Sequence, residues 1–146
     1  MPNYATDTDG PRELAYVVIM RHGERSLDKS DNGLTEDGTK RALYINKCVS
    51  HKGASAAFPL GAPTHLLAST RGKDGSHRPV DTLSPLAKTL KLPIGKADMF
   101  DIYAPLTKLS SLAAGDTLLV VWQVRAPSRG TAAVSPRASV ASPRRM

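Results

Sequence analysis

Two hydrophobic rhythms alternate along this 146-residue chain. Leu14 to Met20 (LAYVVIM) is a short, β-branched apolar run without alternation, the pattern of a strand buried on both faces of a parallel sheet. Thr117 to Trp122 (TLLVVW) repeats it strongly, His65 to Ala68 briefly and Lys96 to Phe100 weakly. Between these runs the spacing becomes helical. A first helix is expected from Thr35, whose hydroxyl can cap it while Glu36 and Asp37 complement the positive end of its dipole. Ala42, Ile45 and Val49 then share one face, and Gly53 is the expected stop. A second helix carries Leu83, Leu86, Ala87 and Leu90 as an apolar stripe. Pro85 leaves two starts open: near Pro79, in which case Pro85 should kink the helix, or at Ser84, with the proline first in the helix. A third helix is expected around Leu106 to Ala113, before Gly115. Strands separated by helices predict an α/β fold with three layers, α/β/α, around a mainly parallel sheet.

The rhythm stops at Val124. From there to Met146 the chain is rich in Ala, Ser, Pro and Arg, has no aromatic residue, and contains Ser-Pro-Arg twice, at Ser135 and Ser142. Such a segment buries too little apolar surface to offset its ordering entropy, so a disordered tail is expected. It reads more simply as a solvated tail than as a phosphorylation site or an arm for an anionic partner. The sequence thus divides into an N-terminal extension (1–13), a domain (14–123) and the tail (124–146).

Net charge is +7 with a pI of about 9.8. The tail holds five of the 20 bases and none of the 13 acids, so residues 1–123 carry 15 bases against 13 acids. The basicity belongs largely to the tail and is poor grounds for nucleic-acid binding by the domain. No apolar run approaches the roughly 20 residues of a membrane span, and Met1 to Gly10 lacks the regions of a secretory signal, so a cytoplasmic protein is expected. The single cysteine, Cys48, excludes an internal disulfide and any multi-cysteine zinc site, and its helical setting reads as core.

The candidate chemistry lies directly after the first strand, in Arg21-His22-Gly23-Glu24-Arg25. Ligands of parallel α/β sheets bind beyond the carboxyl ends of the strands, where this segment falls. Guanidinium forks match phosphate oxygens, and Gly23 removes a side chain where a backbone must come close. Neighbouring cations favour a neutral imidazole, whose free ring nitrogen can attack phosphorus without a separate base. The arginines neutralise the phosphoryl oxygens, so the chemistry requires neither metal nor cofactor. Two weaker signals read as turns: Gly72 to Ser76 has the wrong spacing for a nucleotide loop, and Asp28 to Gly33 would place Thr39 at the twelfth position of a calcium loop, where a glutamate belongs.

With Arg21-His22-Gly23 at the end of its first strand, the chain resembles the histidine phosphatase superfamily, the phosphoglycerate-mutase-like proteins. Leu34-Thr35-Glu36-Asp37-Gly38 resembles that family's Leu-Thr-x-x-Gly opening of the first helix, and Arg78-Pro79-Val80-Asp81-Thr82 its Arg-x-x-x-Thr at the second. The resemblance covers about residues 14 to 123. It implies that His22 is the phosphorylated nucleophile, that Arg21, Arg25 and Arg78 clamp the phosphate in one anion cavity, and that the substrate is a phosphorylated small molecule or phosphoprotein.

Family members carry a second catalytic histidine just past the strand that here ends in Leu119-Val120-Val121-Trp122-Gln123; this chain has Val124 and Arg125 there. His51, His65 and His77 do not replace it by position and read as surface or loop residues. The expectation is a domain altered after residue 123, missing its C-terminal elements. A general acid for the leaving oxygen is expected at Asp101, after the weak strand, or at Glu24, although Asp101 also suits a capping or loop position. Three readings follow: a phosphomonoester hydrolase acting through His22, a phosphate-binding module without turnover, and an adaptor whose basic tail meets nucleic acid or anionic membrane.

Overall fold

The computed structural model describes residues 14–28, 30–51, 53, 55–56, 58–72 and 75–123. The N-terminal extension and the expected disordered tail lie outside the described residues, as does the position where the second histidine was due. The elements are β1 (Tyr16–Arg21), α1 (Glu36–Val49), β2 (His65–Thr70), α2 (Arg78–Leu90), β3 (Ile94–Asp98), α3 (Ala104–Ser110) and β4 (Thr117–Trp122). The four strands form one parallel sheet in the order β1-β4-β2-β3, so the fold is α/β. Tyr16 to Arg21 run beside Thr117 to Trp122, and His65 to Ala68 beside Leu118 to Val121.

Connectivity decides where the helices go. The crossovers from β1 to β2 and from β2 to β3 step the same way across the sheet, so right-handed connections put α1 and α2 on one face, where they pack together. The crossover from β3 to β4 steps back and carries α3 to the other face. Strand alternation supplies both cores. Leu66, Ala68, Leu119 and Val121 meet Leu83 and Leu86 of α2 on the first face, with Cys48 half-buried at its margin. Leu67, Leu118 and Val120 meet Leu112, Val17 and Trp122 on the second. That second layer is thin, since α3 buries Pro105 and leaves Ile19 of β1 63% exposed. No helix among the described residues is long and apolar enough to cross a membrane.

Several elements depart from their sequence-based expectations. β1 is an edge strand and is partly exposed along its length, whereas β4, central in the sheet, is buried from Thr117 to Val121. A continuous apolar run does not distinguish the two places, because strand order is set by crossovers. The helix α2 starts at Arg78 with Pro79 in its first turn, so Pro85 lies inside it and its first residue is not Pro85. α1 closes at Val49, where the Ser50 N–H donates to the Asn46 carbonyl, before Gly53 is reached. β3 begins at Ile94, earlier than expected, and α3 begins at Ala104 because Pro105 suits a first helical turn.

Candidate functional site

In an all-parallel sheet the segments leaving the strands at their carboxyl ends share one edge, and here they include His22, Arg71, Asp101 and Gln123. The segment after β1 is held between the starts of two helices. On the α1 side, the Thr35 hydroxyl caps the helix by accepting the Gly38 N–H at 3.1 Å, and it donates to the Glu24 carbonyl at 3.2 Å. The Thr35 N–H donates to the same carbonyl at 3.0 Å. Gly23 and Gly38 are in backbone contact: a Cβ on Gly23 would stand 2.9 Å from the Gly38 oxygen, and one on Gly38 would stand 2.6 Å from the Glu24 oxygen. That approach explains why glycine occupies both positions.

The α2 side fastens the same segment through Thr82, which is fully buried. Its Oγ1 accepts the Gly23 N–H at 2.9 Å and donates to the Arg78 carbonyl, one turn earlier, at 2.8 Å. The Arg78 guanidinium, also buried, donates from Nε to the Gly33 carbonyl at 3.0 Å, from Nη2 to the Asp31 carbonyl at 2.6 Å and from Nη1 to Ser76 Oγ at 3.0 Å. Each terminal nitrogen keeps one uncommitted hydrogen, so Arg78 can staple the loop and still offer donors to a ligand.

His22 is 7% exposed. Its Nδ1 lies 2.6 Å from the Gly23 carbonyl oxygen. A carbonyl only accepts, so Nδ1 carries the ring proton and Nε2 keeps its lone pair. Burial lowers the pKa of His22 from 6.5; the bond to Gly23 opposes this, while Arg21, Arg78 and Arg25 reinforce it by charge. The three arginines identified from the sequence thus all act on the imidazole.

The four side chains do not share one cavity, which corrects the expectation. His22, Arg21 and Arg25 line a cavity of about 610 Å³ together with Glu24, Arg41 and Tyr44. Arg25 and Arg78 line a second of about 860 Å³ with Arg71, Asn32, Ser76 and Gln123. The two cavities meet at Arg25. Among the described residues, Arg21, Arg25 and Arg71 form no ion pair. Two local carboxylates are engaged otherwise: Asp28 accepts from the Ser30 N–H and hydroxyl, and Asp31 accepts the Gly33 N–H at 2.9 Å.

Neither candidate acid is suited to that role here. Glu24 pairs with the Arg41 guanidinium, with Nε donating at 2.7 Å, and this holds its carboxyl below the usual range and therefore ionised. Asp101 is exposed in the turn between β3 and α3, accepts the Tyr103 N–H at 3.2 Å and lines neither cavity. His51, His65 and His77 also line neither cavity; His77 precedes α2 and its Nδ1 lies 2.5 Å from the Asp81 carboxylate. Arg41, Arg71 and Gln123 went unread in the sequence. Arg71 and Gln123 had a signal, since each directly follows a strand at the ligand-binding edge; Arg41 depends on how α1 is rotated. Among the described residues no group of three or more His, Cys, Asp or Glu side chains is placed to hold a metal ion. No family model matches this chain, and no curated protein matches it.

Two outcomes follow from this geometry. Thr82→Val keeps the shape but strands the buried Gly23 N–H, and should cost about 1–3 kcal/mol of stability, seen as a lower urea midpoint at constant slope; an unchanged midpoint would show the bridge to be idle. Because the folded His22 binds its proton more weakly than the unfolded chain does, its contribution to stability is complete above pH 6.5 and is lost as pH falls through the window below it. Proton NMR of the His22 ring should accordingly titrate with a midpoint below 6.5, and a midpoint at or above that value would contradict the assigned environment.

Proposed function

We propose that this chain is a phosphomonoester hydrolase of the histidine phosphatase type that forms a phosphohistidine at His22. The observation that carries the reading is the pairing of a buried imidazole, Nδ1 tied to the Gly23 carbonyl and Nε2 bearing its lone pair, with arginines that have no ion-pair partner among the described residues. Nε2 attacks the phosphorus, the bond from phosphorus to the ester oxygen breaks, and that oxygen leaves with a proton drawn from solvent. Water then cleaves the bond from phosphorus to nitrogen, releasing phosphate and restoring the neutral ring. Arg21 and Arg25, which line the cavity of His22, offset the charge on the phosphoryl oxygens, and Arg78 adds its charge from the adjoining cavity.

The placement of the two candidate acids narrows the substrates. With Glu24 ionised against Arg41, Asp101 away from the cavities and Val124 at the place of the second histidine, departure of the ester oxygen depends on its own acidity. Aryl phosphates, whose leaving groups need no proton, should label His22, while alkyl phosphates react much more slowly. The same lack of a placed general acid among the described residues favours the second reading, a module that holds phosphorylated ligands without turnover. The basic-tail adaptor rests on residues outside those described and has no structural observation behind it.

The test is incubation with p-nitrophenyl phosphate, an alkaline quench and mass spectrometry of the peptide containing residue 22. Label is expected on His22 of the native chain and is expected to be absent from His22→Asn. Label that persists in the variant contradicts the assignment. Phosphate binding without label supports the non-catalytic reading.

A further inference from the structure

The cavity beside His22 carries an anion of its own. Glu24 lines it together with Arg21, Arg25, Arg41 and Tyr44, and is the one carboxylate among the described residues of that lining. A carboxylate two residues from the imidazole has two costly alternatives: it can occupy the arginines a phosphate needs, or pair with the ring and favour its protonated form. It does neither. The Arg41 guanidinium donates to Glu24 Oε1 from Nε, at 2.7 Å, and from Nη2. Backbone packing delivers the two partners to each other. A Cβ on Gly38 would stand 2.9 Å from the Glu24 nitrogen and 2.6 Å from its oxygen, and Arg41 follows Gly38 by three residues on the same face of α1. The side chains are 57% exposed at Arg41 and 39% at Glu24, so solvent screens the pair and it contributes little to stability. What it decides is where the carboxylate charge goes. The other charged or titratable groups about His22 are Arg21 and Arg25 of its own segment, Arg78 of α2, and Tyr44 of α1, whose hydroxyl is pushed up by Cys48.

Resting on the phosphohydrolase reading, we propose that Arg41 is a positioning residue. It holds the Glu24 carboxylate off Arg21, Arg25 and His22, and so keeps the arginines open to the phosphoryl group and the imidazole neutral for attack. Without Arg41, Glu24 becomes an internal competitor for the phosphate and a counter-ion for the protonated ring.

Isothermal titration calorimetry with inorganic phosphate and an NMR titration of the His22 ring, both on the full chain, test this. Arg41→Ala should weaken phosphate binding about tenfold, the effect of one charge-assisted contact, and should raise the His22 midpoint. Adding Glu24→Gln to that variant should return the affinity to within about twofold of native and bring the midpoint back down. Arg41→Lys keeps the charge without the fork and should fall between native and Arg41→Ala; with and without Glu24→Gln, it gives the same comparison in a helix whose charge is intact. Lys47→Ala, the same loss of charge at an exposed position of α1, should change neither quantity. The rescue is the decisive readout, since a merely structural role for Arg41, or its direct contact with phosphate, leaves the double variant as weak as the single one; circular dichroism checks each fold. An unaltered affinity or midpoint in Arg41→Ala, or a double variant that stays weak, overturns the proposal. Rescue without phosphohistidine formation in the native chain overturns the catalytic reading and supports this one; phosphohistidine formation without rescue does the reverse. A native chain that binds no phosphate overturns this proposal, and one that also takes no label overturns both.

Discussion

The constraint on which the rest depends is the grip of two helix starts on the segment after β1. Gly23 is fastened by Thr82 from the α2 side, and its backbone rests on Gly38 at the start of α1. Neither contact tolerates much adjustment, since one is a buried hydrogen bond and the other a backbone approach that a methyl group would block. The sheet makes the grip possible. Same-direction crossovers bring α1 and α2 side by side on one face, and both then begin at the edge where β1 ends. The orientation of His22 follows from this, because its ring proton is directed to the carbonyl of the residue being held.

Positive charge is the second consequence of that arrangement. Arg78 donates to neutral carbonyls and a hydroxyl, so its charge is solvated by the loop without being cancelled by a carboxylate bond. Glu24, which follows the imidazole by two residues, is turned to Arg41, and among the described residues Arg21 and Arg25 form no ion pair. An edge built this way suits an anion and keeps the imidazole neutral at the same time, since burial and like charge both disfavour its protonated form. Among the described residues this edge is rich in cationic donors, while Glu24 is ionised against Arg41 and Asp101 lines neither cavity.

Much of this was legible because the informative features are local. Thr35 as a cap, the stripe of Leu83, Leu86 and Ala87, and the run from Thr117 to Trp122 are short-range patterns, and each took the form its spacing implied. What escaped depends on tertiary placement. Nothing in Leu14 to Met20 says that β1 lies at an edge, because strand order follows the direction of later crossovers. The division of the arginines between two cavities depends on how Arg25 bridges them, and the distance of Asp101 from both depends on β3 being the outermost strand on the other side. Arg71 directly follows β2 and so carried a positional signal, but only the geometry of the sheet edge connects it with Arg25.

The most direct measurement of the central claim is a long-range proton–nitrogen NMR correlation of the His22 ring, with and without inorganic phosphate. The account requires the tautomer with its proton on Nδ1 and an unprotonated Nε2, and requires the Nε2 resonance to shift as phosphate is added. A proton on Nε2, or a ring indifferent to phosphate, would contradict it.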